Sequence, residues 1–116
     1  MKFETKLWQR SEKSYAATIP QALVFMIDPS KKYYVEWRYD VKAKKWHVDF
    51  KELKEKISEG IVFKTSLWKR SQQSYATTIP HAVLLHIDES KEHEAVWEFD
   101  AKMQKWIVAI KEVAGK

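Results

Sequence analysis

The sequence predicts a mainly β fold with short helices, built from two tandem repeats that close on each other as a pseudo-dimer. Three observations carry this. The stretch SYAATIP, Ser14 to Pro20, returns as SYATTIP, Ser74 to Pro80. Phe3–Glu52 compared with Phe63–Glu112 needs no gap, and 25 of the 50 aligned pairs are identical. Apolar residues on both sides of each motif alternate with period two, the signature of half-buried strands. Identity at a constant offset marks a duplication. A repeat of about 60 residues has a marginal core alone, and two-fold association is the commonest arrangement of like units. Residues 1–60, with their linker, form the first repeat and residues 61–116 the second, in one intertwined domain.

Phe3, Thr5 and Leu7 alternate with Glu4, Lys6 and Trp8, which predicts a strand through Arg10. Ser11 to Ser14 is a polar turn. Tyr15 to Ile19 alternates again and ends at Pro20, where a ladder donor is lost. The two strands make a hairpin.

Pro20 to Ile27 is short and almost wholly apolar. Proline suits a first helical turn, and Thr18 stands where it could help cap one. The expectation is about two turns of helix packed on both sides, with a buried strand as the alternative, because periodicity does not decide short apolar runs. Asp28-Pro29-Ser30-Lys31 is a turn.

Val35, Trp37 and Tyr39 face one way and Glu36, Arg38 and Asp40 the other, a strand over Tyr33–Asp40. After a polar connection, Trp46, Val48 and Phe50 alternate with His47, Asp49 and Lys51 and close a second hairpin. In residues 51–60, Leu53 and Ile57 are four apart, Glu52 and Lys56 could pair, and Gly60 could cap an end. This predicts a helical linker. Each unit reads hairpin, short helix, hairpin. Two such units can complete one another's sheets by exchanging hairpins, leaving no exposed edges.

The chain has 116 residues, net charge +5 and pI about 9.3. Residues 1–60 hold 13 Lys/Arg and 9 Asp/Glu, and residues 61–116 hold 8 and 7. A basic balance suits an anionic partner such as nucleic acid. There is no cysteine, so disulfides and thiolate metal sites are excluded. No apolar run reaches the roughly 20 residues that span a bilayer, and the first ten residues lack a secretory signal's apolar core. The expectation is a soluble, cytoplasmic protein with no membrane partner.

Arg10 and Arg70 sit where the first hairpin of each repeat turns, with Lys6, Lys13 and Lys69 nearby. Arginine there could position phosphates and reach base edges. Lys42, Lys44 and Lys45 form a basic tip suited to solubility and edge protection. Trp37, Trp46, Trp97 and Trp106 lie on apolar strand faces and read as core. Trp8 and Trp68 lie opposite Leu7 and Leu67, either under the linker or on an interaction surface. His47, His81, His86 and His93 show no metal spacing. No glycine-rich phosphate loop and no nucleophile–base pair is present. No cofactor, no metal and no enzymatic activity is expected.

The stretches Trp8-Gln9-Arg10-Ser11, Ser14 through Pro20, the apolar segment after it and the Val35–Phe50 hairpin together resemble the AbrB-like swapped-hairpin family. That family includes SpoVT-type regulators and MazE-type antitoxins. Trp68-Lys69-Arg70-Ser71 and Ser74 through Pro80 repeat the match, and two copies in one chain resemble the MraZ-type members. The resemblance implies an intertwined β-barrel, monomeric with internal pseudo-two-fold symmetry, that binds double-stranded DNA as a transcriptional regulator. Arg10 and Arg70 would be the leading contacts, with Lys6, Lys13, Lys64 and Lys69 as phosphate partners. Positions that are basic in AbrB-type members are here Ala16, Val24 and Phe25, with Ala76, Leu84 and Leu85 in the second copy. Their loss of charge, with acidic Glu89, Glu92, Glu94 and Glu98, points to a second reading. In it the chain is a protein-interaction module, antitoxin-like or an assembly factor, that has lost DNA recognition.

Overall fold

The structure, a computed structural model, describes residues 2–12, 14–56, 59–71, 74–85, 87 and 90–113. It is a closed antiparallel β-barrel. The first repeat supplies β1 (Lys2–Ser11), β2 (Ser14–Thr18), β3 (Tyr33–Asp40) and β4 (Lys45–Glu52). The second supplies β5 (Val62–Ser71), β6 (Ser74–Thr78), β7 (His93–Asp100) and β8 (Lys105–Glu112). Around the barrel the order is β1-β2-β6-β5-β3-β4-β8-β7. The β1–β2 hairpin therefore lies between β7 and β6, both from the second repeat. The β5–β6 hairpin lies between β3 and β2, both from the first. No strand is left as an edge.

The long strands β1 and β5 turn the corners. Lys2–Lys6 of β1 pair with β7, and Leu7–Ser11 pair with β2. Val62–Ser66 of β5 pair with β3 and Leu67–Ser71 with β6. The inward residues fill the barrel: Leu7, Ile19, Val35, Trp37 and Val48 meet Ile79, Trp97, Trp106 and Val108. Trp37 and Trp97 have no exposed surface. Their indole N–H groups are not orphaned, because Trp37 donates to Thr65 Oγ1 and Trp97 to Thr5 Oγ1, each at 2.9 Å. Both bonds cross between the repeats. An indole buried without such an acceptor would be costly.

Two expectations fail in the connections. The apolar segment after Pro20 forms one helical turn, α1 (Gln21–Val24), and its counterpart His81–Leu84 is a 3₁₀ turn. Leu23 is fully buried, but Phe25 is 84 % and Met26 58 % exposed, so the segment packs on one side only. Thr18 does not cap it, and no side chain does. The residues after Glu52 are not helical in the part described. β4 continues to Glu52 because Tyr33 still pairs with it. Leu53 then donates its amide to Lys32 at 3.0 Å, and Glu55 folds back on Glu52 at 2.8 Å. Sheet pairing and a tight turn have taken the groups that a helix would use. Gly60 has φ of 108°, left-handed as a helix cap would be, but here it leads into β5. Ile57 lies outside the described residues.

The outer face of β3 and β4 is also less polar in setting than its sequence suggests. Glu36 is only 2 % exposed and His47 only 6 %. Lys51 lies 3.0 Å from the Glu36 carboxylate.

Candidate nucleic-acid interface

On β1, β2, β6 and β5 the inward positions are taken by the core, so the alternate residues face out. These are Trp8 and Arg10, Ala16 and Thr18, then their copies Trp68, Arg70, Ala76 and Thr78. The register places Trp8 opposite Ala16 and Trp68 opposite Ala76. Ala16 and Ala76 have no exposed surface although they lie on the outside. Alanine there leaves room for an indole to lie down on the sheet.

Each arginine occupies a β-bulge. Gln9 pairs with Tyr15 and Ser11 with Ser14, so Arg10 is the extra residue on its strand. Arg70 is the extra residue between Lys69 and Ser71. A bulge re-aims the side chain it carries, and both arginines turn back across the sheet. The Arg10 guanidinium lies 4.4 Å from the centre of the Trp68 ring, and Arg70 lies 4.4 Å from that of Trp8. Arg10 Nη1 donates to Thr78 Oγ1 at 3.5 Å and Arg70 Nη1 to Thr18 Oγ1 at 3.4 Å. These hydrogen bonds are long and weak; the stacking supplies most of the hold. Every contact joins one repeat to the other.

The result is a flat face with two guanidinium groups held at fixed positions. Each is stacked on one side, gives one donor to a threonine and keeps its remaining N–H donors for solvent or a ligand. Planar guanidinium groups so presented suit paired phosphate oxygens.

The lysines divide. Lys6 is exposed on β1 opposite Glu94. Lys64 is exposed on β5, with its ammonium 4.5 Å from the centre of the Tyr34 ring. Lys64 and Lys69 line one cleft and Lys6 a second. Lys13 lies outside the described residues. The second hairpin tips are built for their backbone: Asp40 Oδ1 accepts the amides of Lys42 at 3.0 Å and Ala43 at 3.1 Å. Asp100 does the same for Lys102 and Met103. These bonds, the Ala43 amide foremost, hold the Asp40 carboxyl below its ordinary range. Lys44 and Gln104 take left-handed backbone at φ 57° and 56° to close the tips.

Among the described residues no three His, Asp or Glu side chains gather as a metal site would. Thr18 and Thr78 are members of the face that sequence reasoning missed: it made Thr18 a helix cap and gave Thr78 no role. Their presence in both copies of the repeated motif, directly beside Ala16 and Ala76, was the available signal. No family model, curated protein or solved structure matches the chain.

Proposed function

We propose that the chain is a DNA-binding protein, a transcriptional regulator of the AbrB-like type that works in the cytoplasm with duplex DNA as its partner. The observation that carries this is the pair of bulged, tryptophan-stacked arginines, Arg10 and Arg70, on one outer sheet face. The net charge of +5 supports it, because phosphate contacts supply most of the affinity for duplex. In this reading Lys6, Lys13, Lys64 and Lys69 are the phosphate partners. The barrel lies on the duplex as one chain with internal pseudo-two-fold symmetry.

The test is Arg10→Glu with Arg70→Glu. The double variant removes two cationic contacts and adds two repulsive ones, so duplex affinity falls by roughly a hundredfold or more. A folded double variant with unchanged affinity would sink the assignment.

A second reading has its own observation. Phe25 and Leu85 occupy the same position in the two copies and are 84 % and 75 % exposed. Exposed apolar groups of this size suit a protein-interaction module. Duplex binding that survives Phe25→Ser with Leu85→Ser favours the first reading over this one.

A further inference from the structure

The two repeats together build two clefts from equivalent positions. One, of about 730 Å³, lies between Lys64–Lys69 of β5, residues 31–34, Leu53 and Tyr75. The other, of about 690 Å³, lies between Glu4–Gln9 of β1, residues 91–94, Tyr15 and Val113. All twelve positions lining the second are offset by 60 from positions lining the first. The duplication has left two clefts of matching construction.

Their chemistry has parted. Among the described residues the first cleft is lined by Lys31, Lys32, Lys64 and Lys69 and by no carboxylate. The second is lined by Lys6 and Lys91 against Glu4, Glu92 and Glu94. Lining charge is therefore +4 in one and −1 in the other. Lys31 is partly answered by Glu52 at 3.4 Å. The aromatic content differs too. Tyr33 and Tyr34 of the first cleft stand where the second has His93 and Glu94. With Trp68 and Tyr75, the first cleft holds four rings among its lysines, three of them half-buried and Tyr34 buried beneath Lys64.

A concave site of this size suits a small ligand, and its walls concentrate the lysine field. A bare phosphate would leave the rings unused, and an apolar ligand would leave the lysines unanswered. We propose that this cleft binds a nucleobase bearing a phosphate, the ring against Tyr33, Trp68 or Tyr75 and the phosphate on Lys32 and Lys64. Rings that stack with bases beside cations that track phosphates are how unpaired nucleotides are held. The source is a free mononucleotide or an unpaired base of a single strand. The cleft shares Trp68 and Lys64 with the Arg10–Arg70 reading but stands on its own lining, and duplex binding does not count toward it.

The experiment is calorimetric titration of the full chain with adenosine monophosphate and, separately, with a single-stranded adenine pentanucleotide. Saturable binding of one ligand per chain, in the lysine-lined cleft, is expected. Tighter binding of the pentanucleotide assigns the single strand as source, and equal or tighter binding of the mononucleotide assigns the free nucleotide. Lys32→Glu with Lys64→Glu lowers affinity about tenfold or more, while Lys91→Glu with Lys102→Glu, the same charge change elsewhere, leaves it within about twofold. A thermal melt checks each fold, and Lys32→Gln with Lys64→Gln replaces the first variant if charge reversal unfolds the chain. No saturable binding of either probe, or equal loss in the cleft and control variants, overturns the proposal.

Discussion

Glu36 and Val96 occupy the same place in the two repeats, one a carboxylate and the other apolar. Both are buried, at 2 % and 5 % exposure. Glu36 is tolerated because Lys51 lies 3.0 Å away, itself only 21 % exposed. Burying a charge is costly unless it is paired, and removing one partner of such a pair costs more than replacing both. Lys51→Met therefore destabilises the barrel by about 3 kcal/mol. Adding Glu36→Val should recover most of that loss, because valine already fits the equivalent place. Urea unfolding of the two variants checks this, and a neutral Lys51→Met would show that the pair contributes little. The same residue-by-residue comparison isolates Arg10 and Arg70. They are identical in both copies, and the structure holds both in the same bulged, stacked state.

At the scale of elements, the strands were legible because alternation is a local signal that the barrel core then uses. Trp37, Trp97 and Trp106 are buried as their positions implied. The connections were not legible. Residues 51–56 carry a helix-like spacing, but β4 is extended by its pairing with β3, a contact some twenty residues away in sequence. Phe25 and Met26 are apolar and exposed, which no periodicity distinguishes from burial. The bulges were invisible for a similar reason. They depend on which residue of β1 finds no partner on β2, and on a tryptophan 58 positions along the chain from Arg10. The turn at Asp28 was expected from its residues, and the hydrogen bonds of the turns at Asp28 and Asp40 give a pH test. The Asp28 carboxyl is held low first by the Ser30 hydroxyl and then by its amide, and that of Asp40 by the Ala43 amide. A lowered folded value means that this stabilisation is present above the ordinary aspartate range and is lost as pH falls through the lowered value. Protection of the Lys42 and Ala43 amides, read as exchange relative to the intrinsic rate, should therefore persist through the ordinary aspartate range and be lost only in stronger acid. Asp40→Asn, which keeps an acceptor without the charge, should remove that acid step. A step that persists in this variant would assign it to another group.

At the scale of the molecule, four of the eight strand ladders join one repeat to the other: β1 with β7, β2 with β6, β3 with β5 and β4 with β8. Residues 1–60 alone keep two hairpins and lose every ladder that closes the barrel. Isolated hairpins are marginal in water. The fragment should thus be unfolded or should dimerise, with β1 pairing to the partner's β3 as it does to β7 in the intact chain. Sedimentation of residues 1–60 decides this, and a folded monomer would contradict the exchange as the source of stability. Exchange also explains the arginine–tryptophan face. Only when both hairpins are inserted do Arg10 meet Trp68 and Arg70 meet Trp8, so the closed barrel and the stacked arginines form together.

The most direct test of the central claim is fluorescence anisotropy of the intact chain with a labelled duplex, titrated at about 50 and 200 mM salt. The account predicts binding at the lower salt that weakens steeply at the higher, as counterions displaced from phosphates demand. Absence of binding at the lower salt, or affinity indifferent to salt, would contradict it.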